Sequence, residues 1–565
     1  MKQKRLILDV FILGIVGALS AQAFMFLLRI CQSFFLSGLA GYHPPGLPEE
    51  GGVLLQVIGP HGLWLIPLAT TLGGLISGVL VYSLAPEAEG HGTDSAVKAF
   101  HRAGGYIRGR IPGLKMLTSA ITIGSGGAAG REGPTALISA GIGSIYAGFG
   151  HRSDEERRIL VLTGMAAGLS AIFRSPIGAA LFVIEVLYSD MEFEASALLY
   201  TILASVTAYV LNGVMVGWEP LFRFPAGFGF PGLADYGWYI ILGLISGLVA
   251  AVLPVLFYGL RDGFRRLPIL DHFKPAIGGL GVGLLAMGLP QVLGGGYGWI
   301  QEAMDGSLTT SLLLLLVFGK MIAFCLTISS GGSGGVFAPG LYIGAMVGGL
   351  LAQQFQLPPA GFVVVGMVAV FGGVARVPIA SLIMVTEMTG GYHLLAAAAL
   401  SVSLSYVVQV SLTSRLKFKY NSLYEAQVPR RSDSPAHHAE LLQIALNLMN
   451  QQRIAIPSVN GHLNLLKLLS SGIPVDLPEC KQLVIVTMNP QSPWIGRSVK
   501  AGEFAEEEQD AEIIAILRQE HMRLPSSDTI LQSGDQLLLI VSSPAWKRLS
   551  QILAPEPSHK NEGIH

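Results

Sequence analysis

Gly124-Ser-Gly-Gly-Ala-Ala-Gly-Arg-Glu-Gly-Pro134 and, further along, Ser329-Ser-Gly-Gly-Ser-Gly-Gly-Val-Phe-Ala-Pro339 decide how this chain is read. Each is a glycine run that ends on a proline and leads into a helical pattern, Thr135–Phe149 in one case and Gly340–Phe355 in the other. A third such segment, Glu89-Gly-His-Gly-Thr-Asp94, leads into Ser95–His101. Glycine lets backbone approach a ligand, and proline suits the first turn of a helix. The helix start that follows carries unpaired N–H groups and partial positive charge, so it attracts anions without a full cation. Within a membrane a fixed Lys or Arg would hold a passing ion too tightly. The same glycines also suit close helix packing, the reading preferred for Gly278-Gly-Leu-Gly281. A dinucleotide fingerprint at Gly124-x-Gly126 is excluded, because the preceding strand, the final spacing and a ribose-binding acid are missing.

Outward from these segments the chain repeats itself. Gly164-Met-Ala-Ala-Gly-Leu-Ser-Ala-Ile-Phe-Arg-Ser-Pro-Ile177 is echoed by Gly366-Met-Val-Ala-Val-Phe-Gly-Gly-Val-Ala-Arg-Val-Pro-Ile379. In both copies a glutamate follows the proline, Glu185 after Pro176 and Glu387 after Pro378. The offset is nearly constant: 202 residues for Pro176 to Pro378 and 205 for Ser125 to Ser330. So long a period is no solenoid unit; it predicts two homologous membrane halves with the site at their interface.

Composition agrees. Of 565 residues, 51% are hydrophobic and only 13% charged, about half the charged fraction usual in soluble proteins. The net charge of -1 gives no field that points to nucleic acid. Weakly charged apolar segments run from residue 6 to about 412, among them 62–83, 160–186, 196–216, 237–259, 311–328, 341–352, 360–372 and 394–413. Some are long enough to span a bilayer; others are short and broken, as in re-entrant or tilted helices. Residues 6–36 imitate a signal peptide, but the apolar run is too long, so a first membrane helix with a cytoplasmic N-terminus is expected. Arg152, Arg157 and Arg158, then Arg415, Lys417, Lys419, Arg430 and Arg431, mark cytoplasmic loops. A multi-pass inner-membrane protein with both termini cytoplasmic is the expectation. Cys31, Cys325 and Cys480 form no ligand spacing, and the histidines are scattered, so neither a metal site nor an enzyme is expected.

After Pro429-Arg-Arg-Ser-Asp-Ser-Pro435 the pattern becomes that of a soluble α+β domain. Ala439–Gln452 reads as an amphipathic helix. Leu483–Met488, Glu512–Leu517 and Gln536–Val541 read as strands, and Pro544–Leu553 as a closing helix. The predicted organisation is a transmembrane domain over 1–428, with halves of roughly 1–215 and 216–428. A linker and helical connector over 429–480 and a cytosolic domain over 481–565 follow.

Glu132 stands out. An acid in a Gly-rich, low-charge stretch beside a membrane helix is costly unless it is paired or faces water, so it defaults to a functional role. A carboxylate at a helix N-terminus can itself occupy an anion site; protonating it or swinging it aside would empty that site. Arg131 is its nearest candidate for a structural partner.

Gly130-Arg-Glu-Gly-Pro134, Gly335-Val-Phe-Ala-Pro339 and Glu387-Met-Thr389 resemble motifs of the CLC family of chloride channels and chloride–proton antiporters. The resemblance covers roughly residues 6–428. It implies an all-α polytopic membrane protein of two inverted halves, with re-entrant and tilted helices meeting at an anion site. It also implies a homodimer in the lipid bilayer, with chloride as the transported ion and no other cofactor. Carried over by position, Glu132 is the gate. Val336 and Phe337 offer amides to the anion, and Tyr424 (or Tyr420) supplies an inner hydroxyl. His91 and Gly92 fall in the remaining anion-binding motif, where the family usually shows Gly-Ser-Gly-Ile-Pro. His91 thus replaces a serine and Asp94 a proline, and Asp94 is expected to cap its helix. Glu132 and Glu185 are the proton-pathway candidates, but Val186 stands at the usual internal proton glutamate. That leans toward a channel, with proton-coupled antiport as the alternative. Ser492-Pro-Trp-Ile-Gly496 through Ser533-Gly-Asp535 is similar to the TrkA-C (RCK C-terminal) type, which implies a dimerising module with an unidentified small-molecule effector or a passive assembly role.

Overall fold

Proline and glycine punctuate the apolar sequence, and the helices of the computed structural model follow that punctuation. It describes residues 2–437, except 51, 226–228 and 230. In the C-terminal part it describes 475–477, 481–490, 492, 494–498, 511–518, 521–523, 529–542 and 546. The chain separates into two compact units, Met1–Pro429 and Arg430–His565.

The first unit is helical. Its first half comprises α1 (Lys2–Gln32), α2 (Ile66–Leu84), α3 (Thr93–Arg102), α4 (Ile111–Gly124), α5 (Glu132–Phe149), α6 (Asp154–Phe173), α7 (Pro176–Glu185) and α8 (Ala195–Val216). Its second half repeats the series as α9 (Asp235–Arg266), α10 (Lys274–Gly288), α11 (Tyr297–Met304), α12 (Thr310–Ser329), α13 (Phe337–Gln354), α14 (Pro359–Ala375), α15 (Pro378–Thr389) and α16 (Leu395–Arg415). Among the described residues, six stretches are long and apolar enough to cross a bilayer: Arg5–Leu39, Ile66–Leu84, Ala195–Val216, Asp235–Arg266, Thr310–Ser329 and Tyr392–Arg415. The apolar stretch 160–186 is not one span but two helices. Pro176 has no N–H to continue α6, and Arg174 takes the left-handed conformation (φ 54°) at the break. Arg376 does the same (φ 57°) before Pro378.

Glycine sets how closely the helices pack. A Cβ on Gly344 of α13 would collide with the carbonyl of Gly366 in α14, and one on Gly366 with that of Gly344. Such small-residue crossings replace the hydrophobic drive that lipid removes.

The halves are tied by reciprocal bonds. Glu185, ending α7, accepts from the amides of Ile379 (3.2 Å) and Ala380 (2.6 Å) at the start of α15. Glu387 of α15 accepts from Ser175 Oγ (2.6 Å) and the amides of Ile177 (3.1 Å) and Gly178 (2.8 Å) at the start of α7. Each acid thus sits on the positive end of the other's helix. This end-to-start pairing sets α7 and α15 antiparallel, as an inverted repeat requires.

In the first unit the short β1 (Tyr42–His43) pairs with β2 (Val57–Ile58). The second unit holds an antiparallel sheet of β3 (Val475–Leu477), β4 (Lys481–Thr487), β5 (Ala511–Arg518), β6 (His521–Arg523) and β7 (Gln536–Ser542), in the order β3-β4-β7-β5-β6. Val484, Val486, Ile516, Leu537, Leu539 and Val541 form one side's core. Asp535, buried, is held by Arg518 at 2.8 and 2.7 Å. The predicted helix Ala439–Gln452 lies outside the described residues, as does Pro544–Leu553 apart from Trp546.

Candidate anion site

Gly130 and Gly335, equivalent positions in the two halves, exchange both backbone hydrogen bonds (2.8 and 2.6 Å). A Cβ on Gly335 would lie 2.8 Å from Gly130 O and from Gly133 N, so no larger residue fits this crossing. Two residues later each strand turns into a helix, and the N-termini of α5 and α13 therefore converge. The N-terminus of α3 joins them. Gly92, its N-cap, has φ 75°, and a Cβ there would stand 2.6 Å from Gly133 O.

A narrow pocket lies between these ends, lined by Thr93, Glu132, Gly133, Leu169, Phe182, Val336, Phe337 and Tyr424. Phe337 is walled in by Phe371 and Phe173, with ring centroids at 4.1 and 4.4 Å. Positive helix ends facing an apolar aromatic wall suit a small, weakly hydrated anion. Of the sequence-derived positions, Glu132, Val336, Phe337 and Tyr424 line this pocket. His91 does not. Its ring is buried behind the pocket, 5.4 Å from Tyr424 and 6.5 Å from Phe257, and its Nδ1 has no hydrogen-bond partner among the described residues. Thr93, two residues on, lines the pocket instead. The hydroxyl was in the motif, but helix α3 begins earlier than the sequence pattern suggested.

Glu132 is the first residue of α5 and only 1% exposed. The phenol of Tyr297 donates to its Oε1. Its Oε2 lies over Gly130, beside the amide of Ala338, with no hydrogen-bond partner among the described residues. Arg131 is committed elsewhere. Its guanidinium grips both oxygens of the Glu50 carboxylate, Nη1 to Oε2 at 2.9 Å and Nη2 to Oε1. Its Nε stays 3.9 Å from Glu132. Tyr297 and Glu50 were invisible to sequence reasoning; one opens α11 and the other ends a short 3-10 turn, and both reach the site from afar without a local motif.

On the other side of Arg131 and Tyr297 opens a cavity of about 670 Å³, also lined by Arg29, His43, Glu50 and Gly294–Gly296. It lies at the C-terminal end of α1.

Tyr424 is carried by a segment of bends and turns bonded to α14 and α3: Leu423 N to Val374 O (3.1 Å), Gln427 Nε2 to Ala375 O (3.1 Å) and Ala426 N to Asp94 Oδ1 (2.7 Å). Asp94 is therefore not a helix cap. Gly92 takes that position, and Asp94, in the first turn, reaches across to the Tyr424 segment. Tyr420 is stacked on Tyr258 at 3.9 Å and bonded by Arg261, away from the pocket. Both oxygens of Glu185 are used in capping α15, and Val186 is fully buried at the end of α7.

Residues 73–410, more than half of the chain, match the family model described as voltage gated chloride channel. The chain belongs to this family. The H(+)/Cl(-) exchange transporter ClcA of Salmonella arizonae is 32% identical over 361 residues, 61% of this chain and 76% of that protein. The ClcA of Salmonella agona matches to the same extent. Two solved structures share the fold. A slow cyanobacterial Cl⁻/H⁺ antiporter has TM-score 0.63 and 23% identity, over 72% of this chain and 95% of that one. A CLC-type fluoride/proton antiporter has TM-score 0.61 and 24% identity, over 75% and 98%. Residues 483–554 match the TrkA-C domain. The chain is a multi-pass membrane protein of the CLC family with a C-terminal TrkA-C domain. Its business is anion transport, as in the family, and not enzymatic catalysis.

Proposed function

We propose that chloride, or a related small anion, crosses the bilayer through the pocket between the N-termini of α3, α5 and α13, and that the Glu132 carboxylate opens and closes it. One observation carries this. An acid is buried where two helix ends converge, its Oε2 beside the first-turn amides of α13, so it stands in the place an anion would take. Val336 and Phe337 contribute the amide end, Thr93 and Tyr424 hydroxyls, and Gly92 the close approach; His91 acts from behind Tyr424.

The protein works as a channel-like member. At the end of α7 the fully buried Val186 offers no proton acceptor, and Glu185 is spent on α15. Proton-coupled exchange is the second reading, favoured by the names of the ClcA relatives. A homodimer in the inner membrane, with both termini cytoplasmic, completes the proposal. Residues 429–480 are a linker and helical connector whose last part, Val475–Leu477, joins the sheet as β3, and the TrkA-C domain is a regulatory module for a small-molecule effector.

The test is purified protein in liposomes under a chloride gradient, with chloride flux and internal pH followed together. Chloride flux without proton movement is expected. Opposed proton movement that disappears in Glu132→Gln would establish the exchanger. Absence of any anion flux from folded protein would overturn the proposal.

A further inference from the structure

Tyr297 opens α11, and its phenol reaches Glu132 across 165 positions of sequence. Among the described residues this is the one side-chain hydrogen bond that the Glu132 carboxylate accepts. The phenol is held firmly in place. Arg131, itself gripped by Glu50, lies 4.8 Å over its ring, and Phe222 packs 5.9 Å away. Its backbone follows Gly296, a residue with φ 79°. The preceding loop is clamped by Lys320, fully buried, whose Nζ donates to the carbonyls of Val292 (2.8 Å) and Gly294 (2.6 Å).

Tyr297 also lines the large cavity at the end of α1, whereas Glu132 does not. The phenol and the Arg131 guanidinium therefore stand between that cavity and the carboxylate. Glu132 can leave the pocket only by giving up its hydrogen bond to the phenol. A buried hydrogen bond to a carboxylate is among the stronger ones.

We infer that Tyr297 is the latch of the gate, a positioning residue whose O–H holds Glu132 in the pocket and so competes with anion binding. The inference rests on the reading of Glu132 as the gate. Removing the hydroxyl weakens Glu132's hold on the site, and because carboxylate and anion compete, anion affinity rises by the same factor. A loss of one charge-assisted hydrogen bond corresponds to roughly tenfold or more.

Chloride binding to the purified full-length protein, measured by titration calorimetry, tests this in four forms: wild type, Tyr297→Phe, Glu132→Ala and the double variant. Tyr297→Phe, which keeps the ring against Arg131 and Phe222, is expected to tighten chloride binding about tenfold. The double variant is expected to bind like Glu132→Ala. Tightening by Glu132→Ala with no effect of Tyr297→Phe would overturn the latch and leave the gate standing. Equal effects of Tyr297→Phe with and without Glu132 would also overturn it, leaving the tyrosine a packing role. No tightening by Glu132→Ala would overturn both. A 3-fluorotyrosine at position 297, nearly the same in size but a stronger donor, gives a reading of opposite sign: chloride binding is expected to weaken, and unchanged or tighter binding counts against the latch.

Discussion

The loops that open α3 and α11 are the same device used twice. In the first half Lys115, fully buried, donates to the carbonyls of Ala88 (2.8 Å) and Gly90 (2.6 Å). In the second half Lys320 donates to those of Val292 (2.8 Å) and Gly294 (2.6 Å). Each lysine fixes a glycine-rich loop that releases a short helix beside the pocket. What the loops deliver differs. The first brings Thr93 to the pocket and sets His91 behind Tyr424; the second brings Tyr297 to the Glu132 carboxylate. The repeat supplies the frame, and divergence at a few positions of that frame puts a threonine on the pocket in one copy and a tyrosine on Glu132 in the other.

The comparison breaks most visibly at the lysines. Lys115→Met and Lys320→Met each remove two hydrogen bonds donated by a buried lysine, a loss of about 3 kcal/mol in stability. Thermal unfolding in detergent should show similar losses for both; a large loss for one alone would end the equivalence of the two clamps. Next come the reciprocal caps. Glu185→Ala and Glu387→Ala should each cost about 1–2 kcal/mol, by the loss of helix-end hydrogen bonds and the dipole contact. Glu387→Ala should cost the more, because Ser175 loses its partner too.

Smaller effects sharpen the contrast between the two mouths. Asp94→Ala removes the bond to Ala426 that steadies the Tyr424 segment, at about 1–2 kcal/mol. Asp94→Asn retains an acceptor and should recover most of it, as read by unfolding and by chloride affinity. Last, Tyr424→Phe should weaken chloride binding several-fold, about 1 kcal/mol for one neutral hydrogen bond, while Tyr420→Phe leaves it unchanged. The reverse order would move the inner hydroxyl to Tyr420.

Much of this was legible in the sequence, because the decisive motifs are local. The glycine runs and prolines predict helix starts, and Glu132 is conspicuous as an acid in a stretch otherwise poor in charge. The halves are legible because Pro176 and Pro378 recur with a glutamate at fixed spacing. What escaped is what folding brings from afar. Tyr297 and Glu50 carry no local signal, since a tyrosine after three glycines and an acid in a Pro-rich loop are ordinary loop chemistry until the helices converge. His91 was placed by its position in the resembling motif, and the start of α3 at Thr93 brings that residue to the pocket instead; helix ends are the least legible part of a helix. Asp94 followed the usual preference of its residue type for capping, and a tertiary bond to Ala426 overrode it.

The crossed caps of α7 and α15 have a consequence for the order of synthesis. When α7 leaves the ribosome its acid has no helix end to sit on and its own first turn has no acceptor, because both partners lie on α15, some two hundred residues downstream. The first half must wait in the membrane unfinished, and the arrival of α15 supplies both sets of caps in a single step.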